Sequence, residues 1–278
     1  MQTVYGRILV ACVAATLLLA LAIVLQGILS AAARIDDPSP SPGAAVLAEK
    51  GEELLYEVSW TFIKLGTIRI RSFPNYTAQA HIDSYDGLPF VDLHSIHETV
   101  MDSGFYSIGS RSVEKKGNEW WGLNYVYDVP AHRLVVEETF QKDTLLPAYS
   151  RKVRDTLQLT ATRFVDGLSI GFFPRSLIHT SKTLDVPTVL YGKQGITTFR
   201  FANKKTTQNI DVEDDPVRVI ELEGTTNVEG IFGMTGDFTG WFSDDDAAVP
   251  IKGKLKVLIG SVTVELIGWR RAGWNPPH

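Results

Sequence analysis

The chain has 278 residues, of which 44% are hydrophobic and 21% charged, with a formal net charge of −5. That hydrophobic share excludes a disordered chain, and the missing basic excess excludes the phosphate neutralisation on which nucleic-acid binding depends. The single cysteine, Cys12, falls inside an apolar stretch, so the remainder holds neither a disulfide nor a thiol site.

That stretch, ILVACVAATLLLALAIVLQGILSAAA over residues 8–33, carries no charge. As a helix it spans ~30 Å of hydrocarbon, which is longer than the usual apolar centre of a cleaved signal. Ala31, Ala32 and Ala33 nevertheless offer a cleavage site. The expectation is an uncleaved anchor, with secretion after cleavage as the alternative. Arg7 before the segment and Asp36 and Asp37 after it place the bulk of the chain outside, by the positive-inside rule. Leu9-Val10-Ala11-Cys12 matches a lipobox, but too little hydrophobic sequence precedes Cys12 for lipidation. The next stretch, DPSPSPGAA over residues 37–45, reads as an extended solvated spacer. The chain thus divides into an anchor or signal segment over residues 1–35, a linker over 36–50 and a β-rich exported domain over 51–278.

Within that domain, Leu54, Tyr56, Val58, Trp60 and Phe62 alternate with polar residues, the period of a strand with one buried face. Lys64-Leu65-Gly66 turns into Ile68 and Ile70, which alternate with Arg69 and Arg71, so the pair reads as a hairpin. The pattern recurs over residues 119–129, 133–140, 197–201, 217–223 and 255–266. Two segments, 88–101 and 155–173, have mixed apolar spacing and are expected as short helices, the second stopped by Pro174. Many strands without a βαβ rhythm predict an all-β, mainly antiparallel fold. It is a curled sheet or open β-barrel with one or two short helices, preceded by an N-terminal hydrophobic helix.

Three blocks carry a family resemblance. They are Gly51-Glu52-Glu53-Leu54-Leu55-Tyr56-Glu57-Val58-Ser59-Trp60 followed by Leu65-Gly66; Asp166-Gly167-Leu168-Ser169-Ile170-Gly171-Phe172-Phe173-Pro174-Arg175; and Trp241-Phe242-Ser243-Asp244-Asp245-Asp246 through Val249-Pro250-Ile251 to Gly260-Ser261-Val262 and Glu265-Leu266. Their order and spacing resemble the bacterial domain-of-unknown-function family numbered 3108, of exported and mostly β proteins. Pro174 departs from the family's usual helix, which ends in an arginine matched here by Arg175. The resemblance implies a sheet similar to those of periplasmic lipoprotein carriers and implies no activity.

Candidate chemistry is sparse. Asp244 and Asp245, in a run of three carboxylates, could bind a hard cation or serve as acid and base, although the run lacks a spaced calcium-loop pattern and reads better as a capped hairpin turn. His94 and His97 would share a helix face but lack a third zinc ligand. Gly167-Leu168-Ser169-Ile170-Gly171 fits the bare nucleophile-elbow pattern without the α/β sheet that motif needs. The glycines between 224 and 240 fit bulges better than a phosphate loop. Trp120 and Trp121 cannot both point inward on a strand, which makes them the best hint of binding. Together, Trp120, Trp121, Trp241, Asp244, Asp245 and Arg175 form the expected ligand-binding set, with no catalytic residue, metal or cofactor. The expected role is a non-enzymatic envelope protein, single-pass in a bacterial inner membrane with its C-terminal domain in the periplasm. Its partner would be a lipid, another apolar or amphipathic ligand, or an envelope protein. The alternatives are an envelope-polymer hydrolase using Asp244 and Asp245, or a structural assembly factor.

Overall fold

The computed structural model describes residues 51–88, 91–128, 130–142, 150–230, 235–257 and 260–278. The anchor and linker expected over residues 1–50 lie outside them. Among the described residues, no helix is long and apolar enough to cross a membrane.

Among the described residues, fourteen strands follow one another. The first half comprises β1 (Glu52–Trp60), β2 (Ile63–Phe73), β3 (Thr77–Ser84), β4 (His94–Met101), β5 (Ser107–Lys116), β6 (Glu119–Asp128), β7 (Arg133–Lys142) and β8 (Ser150–Gln158). The second comprises β9 (Ser181–Leu190), β10 (Lys193–Gln208), β11 (Val217–Thr226), β12 (Gly236–Ser243), β13 (Pro250–Lys256) and β14 (Ser261–Arg270). All belong to one sheet in the order β8-β7-β6-β5-β4-β3-β2-β1-β14-β13-β12-β11-β10-β9, with antiparallel neighbours throughout. The first and last strands therefore pair at the centre, while β8 and β9 form the edges. Bulges in β1, β4, β10 and at the β12–β13 step bend the ladder, as a curled sheet requires.

Alternation explains which face is buried. On β1, Glu52, Leu54 and Tyr56 point inward, whereas Glu53 points out and binds Arg69 and Arg71 of β2. Leu54, Tyr56, Val219, Ile251 and Leu266 gather in one apolar cluster, and Tyr125, Leu134, Val136, Phe164 and Val189 in another. Residues 159–180, between β8 and β9, form a buried plug. Val165 makes a parallel bridge to Thr188 of β9, and Phe164, Phe172, Phe173 and Ile178 are almost wholly buried.

The first expected helix is corrected here, and the second is reduced to short 3-10 turns. Residues 94–101 are a central strand, β4, whose inward positions are Ser95, His97, Thr99 and Met101. Three of those four are polar, which hides the strand period from a hydrophobicity reading. Residues 150–158 are the edge strand β8, and the plug holds only two 3-10 turns, Ser169–Gly171 and Phe173–Ser176. Gly167, Gly171 and Pro174 deny this segment a longer helix, and Pro174 sits at the start of the second turn, where its missing N–H costs nothing.

Candidate functional site

A cavity of about 420 Å³ lies between the plug and the inner face of the sheet. Ile68, Ile70 and Ile82 line it from β2 and β3, Val189 from β9, and Leu168 and Ile170 from the plug. One end is polar. His97, Ser110, Ser112, Tyr125 and Tyr127 all face it, with Asp166 behind them. Ser110 Oγ and Tyr127 OH lie 3.0 Å apart, and His97 Nε2 lies 3.0 Å from Ser95 Oγ. Burial holds the His97 imidazole below its ordinary range, although the Asp166 carboxylate pulls the other way. Burial also pushes the Tyr125 phenol up to about 12. The imidazole and phenols at this end are thus neutral hydrogen-bonding groups near pH 7.

Asp166 is fully engaged. Its Oδ2 accepts from Thr99 Oγ1 at 2.5 Å and Ser107 Oγ at 2.7 Å, and its Oδ1 from the backbone N–H groups of Leu168 at 2.9 Å and Ser169 at 2.7 Å. Ser169 Oγ in turn accepts from the Asp166 N–H at 2.7 Å. This reciprocal pair closes the turn that leads into the first 3-10 turn, with the side-chain-to-amide exchange of a capping box. The serine of the glycine-flanked motif, itself fully buried, therefore satisfies a backbone amide.

The three family-like blocks meet at a second buried site. Arg175, in the second 3-10 turn, binds both carboxylate oxygens of Glu52, and its Nη2 donates to the Ala247 carbonyl at 2.9 Å. Arg271 Nη1 donates to Glu52 Oε2 at 2.7 Å. The side chains are almost dry, with 0% of Glu52 and 3% of Arg175 exposed. Burial alone would raise the Glu52 pKa, but the charges and hydrogen bonds of Arg175 and Arg271 outweigh it and hold the carboxyl below its usual range. Arg175 thus faces Glu52 and the Ala247 carbonyl, and is not part of the lining of the cavity.

Around the β12–β13 turn, Asp245 Oδ1 accepts from Ser243 Oγ and from the amides of Ala247 and Ala248, and its Oδ2 from Trp274 Nε1 at 2.8 Å. Asp244 pairs with Lys205 at 3.0 Å. Trp241 donates its indole N–H to Glu221 at 3.1 Å and packs on the first core cluster. Asp245 and Arg175 are thus brought together, both bonded to backbone atoms of Ala247, within a capped turn and its support.

Trp120 and Trp121 belong to the other half of the sheet and point to opposite faces. Trp121 lines the inner face beside Leu123 and Tyr191. Trp120 lines a larger groove of about 940 Å³ on the outer face of β3–β7. Across its floor, Gln79, Glu98, Arg111, Asn124 and Glu137 stand opposite one another on five successive strands. Gln79 Nε2 donates to Glu98 Oε1 at 2.8 Å, and Arg111 Nη1 lies 3.8 Å from Glu98 Oε2.

Sequence reasoning missed the row, the Asp166 network and Glu52 as a partner for Arg175. The row residues share no local pattern, so only strand register joins them. The signal for His97 was present, but on β4 it is three residues from His94 and so faces the opposite side of the strand. Among the described residues, no group of three or more histidine, cysteine, aspartate or glutamate side chains is arranged to hold a metal ion.

No curated protein matches the chain. Among solved structures, it is similar to the crystal structure of a beta-barrel-like protein of domain of unknown function DUF1849 from Brucella abortus. The two are 11% identical with a TM-score of 0.48, over 79% of this chain and 97% of that one. A family model, protein of unknown function DUF3108, matches residues 55–267, which reach from β1 to β14 and include the plug, Arg175 and the Asp245 turn. With most of its length matched, the chain belongs to the DUF3108 family.

Proposed function

We propose that this chain is a non-enzymatic protein of the bacterial cell envelope, anchored in the inner membrane by residues 8–33, whose exported sheet carries an apolar or amphipathic ligand. The observation that carries the reading is the cavity beneath the plug. Its volume of about 420 Å³ falls in the range of small-molecule sites. Its aliphatic walls suit an acyl or isoprenoid chain, and the neutral donors and acceptors at its His97 end suit an ester, amide or hydroxyl. Anchoring keeps such a carrier beside the bilayer from which it would load.

The hydrolase alternative draws less support. Asp245 spends both oxygens on holding a turn. Glu98 and Glu137 in the groove stand three strand spacings apart, roughly 14 Å between backbones, against the ~5 to 9.5 Å between paired glycosidase carboxyls.

Native mass spectrometry of the full chain, released from its own membranes in a non-lipid detergent, tests the proposal. The expected spectrum retains residues 1–33 and shows an adduct of lipid-like mass. That adduct disappears in Ile82→Trp and in Ala80→Leu, which fill the cavity from the same strand. A bare chain, or an adduct that both variants keep, would overturn the carrier reading.

A further inference from the structure

The outer groove is built from different parts than the cavity and invites a different ligand. One glycine opens it. Gly109 on β5 faces outward beside Arg111, so the groove floor lacks a side chain where its neighbours carry one, whereas the place of a side chain at Gly122 on β6 is taken by Thr139. Glycine inside a strand sacrifices about 0.5–1 kcal/mol relative to alanine, and it often marks a place where another molecule approaches the backbone. A Cβ at Gly109 would meet nothing within 4 Å, so packing within the sheet does not require glycine there.

The floor itself is a line of planar polar groups. Amides of Gln79 and Asn124, carboxylates of Glu98 and Glu137, and the guanidinium of Arg111 alternate donor and acceptor across five strands. Within that row one cation stands among two anions, so it offers no excess of positive charge to a phosphate or to a lipid headgroup. Its apolar sides are the short aliphatics Val100, Val113 and Val126, with Phe73 as the one larger side chain besides Trp120, too few to bury an acyl chain. Trp120 adds an amphipathic ring.

We propose that this groove binds an uncharged glycan chain. Vicinal hydroxyls pair in bidentate fashion with amide, carboxylate and guanidinium groups, and the apolar C–H face of a pyranose packs on an indole ring. The row runs across the strands with its groups ~4.8 Å apart, which presents a repeating set of partners to a repeating polymer. The inference is independent of the ligand carried in the interior cavity.

Saturation-transfer NMR on the detergent-solubilised full chain tests this, with tetrasaccharides of glucose and of N-acetylglucosamine as probes and glycerophosphate as the anionic comparison. The wild-type chain is expected to transfer saturation to at least one tetrasaccharide and not to glycerophosphate. Arg111→Ala and Trp120→Ala should each weaken the binding about tenfold, and Asn124→Leu, which conserves volume, covers the case in which Trp120→Ala fails to fold. Ile82→Trp, inside the cavity, should leave it unchanged. Absence of transfer to both sugars, preference for glycerophosphate, or undiminished transfer in folded Arg111→Ala and Asn124→Leu would overturn the proposal.

Discussion

At the scale of single residues, His97 shows how a polar group can be stored inside a β protein. It occupies an inward position of a central strand, shares a hydrogen bond with Ser95 and faces the cavity. Because burial lowers its pKa from the ordinary 6.5, the folded chain resists a proton that the unfolded chain accepts. Stability contributed by this group is therefore present above about pH 6.5 and falls as the pH drops from there toward the folded value. The loss is bounded by about 1.4 kcal/mol per pH unit for one proton. Urea midpoints of wild type and His97→Gln, compared near pH ~7.5 and ~5.5, should show a fall in the wild type that is smaller in the variant; parallel falls would remove His97 as the cause. The same residue shows why part of the site was illegible in sequence. His97, Ser95 and Thr99 look like decoration of an exposed surface until Asp166, from a distant segment, is placed beneath the strand to accept from Thr99 and Ser107. Polar residues facing a polar interior carry no hydrophobic period.

At the scale of elements, the strands read most clearly where one face is apolar and the other charged. β1 and β2 meet that condition through Leu54, Tyr56, Ile68 and Ile70 set against Glu53, Arg69 and Arg71, and both were legible. β4 and β8 do not, and both resembled helices. The glycines between 224 and 240 were expected at bulges, but Gly224 sits in a regular stretch of ladder and makes room for a ring instead. Phe199, Gly224 and Phe238 stand opposite one another on β10, β11 and β12, and the Phe238 ring lies across Gly224 to meet Phe199 edge-on at 5.8 Å. Any Cβ at position 224 would enter that ring. Gly224→Val should thus destabilise the chain by about 1–3 kcal/mol in urea denaturation, and by much less in a Phe238→Ala background, where the ring is gone. Equal losses in both backgrounds would show that backbone or burial effects, and not the ring, set the cost.

At the scale of the whole molecule, the chain order puts its first and last strands side by side in the middle of the sheet, with the plug tying together the two edges. Neighbouring strands otherwise follow in sequence, so the two halves of the ladder can form from local hairpins, while the central seam joins residues more than 200 positions apart in sequence. Residues beyond β14 complete that seam. Arg271 reaches Glu52, Trp274 reaches Asp245, and the Pro277 carbonyl accepts from the Arg218 N–H. A chain ending at Arg270 should lose about 1.5–3 kcal/mol against urea, the worth of a hydrogen bond to a charged group, because Glu52 keeps Arg175 but loses Arg271; an unchanged midpoint would show the last eight residues to be dispensable. Glu52 is made early, yet its two cations arrive 123 and 219 residues later. Until both have emerged from the ribosome, the carboxylate lacks part of its set of donors and β1 lacks β14 as its neighbour. The site therefore works as a test of completeness: a chain clipped before Arg271 leaves Glu52 to Arg175 alone and the central seam short of its last contacts.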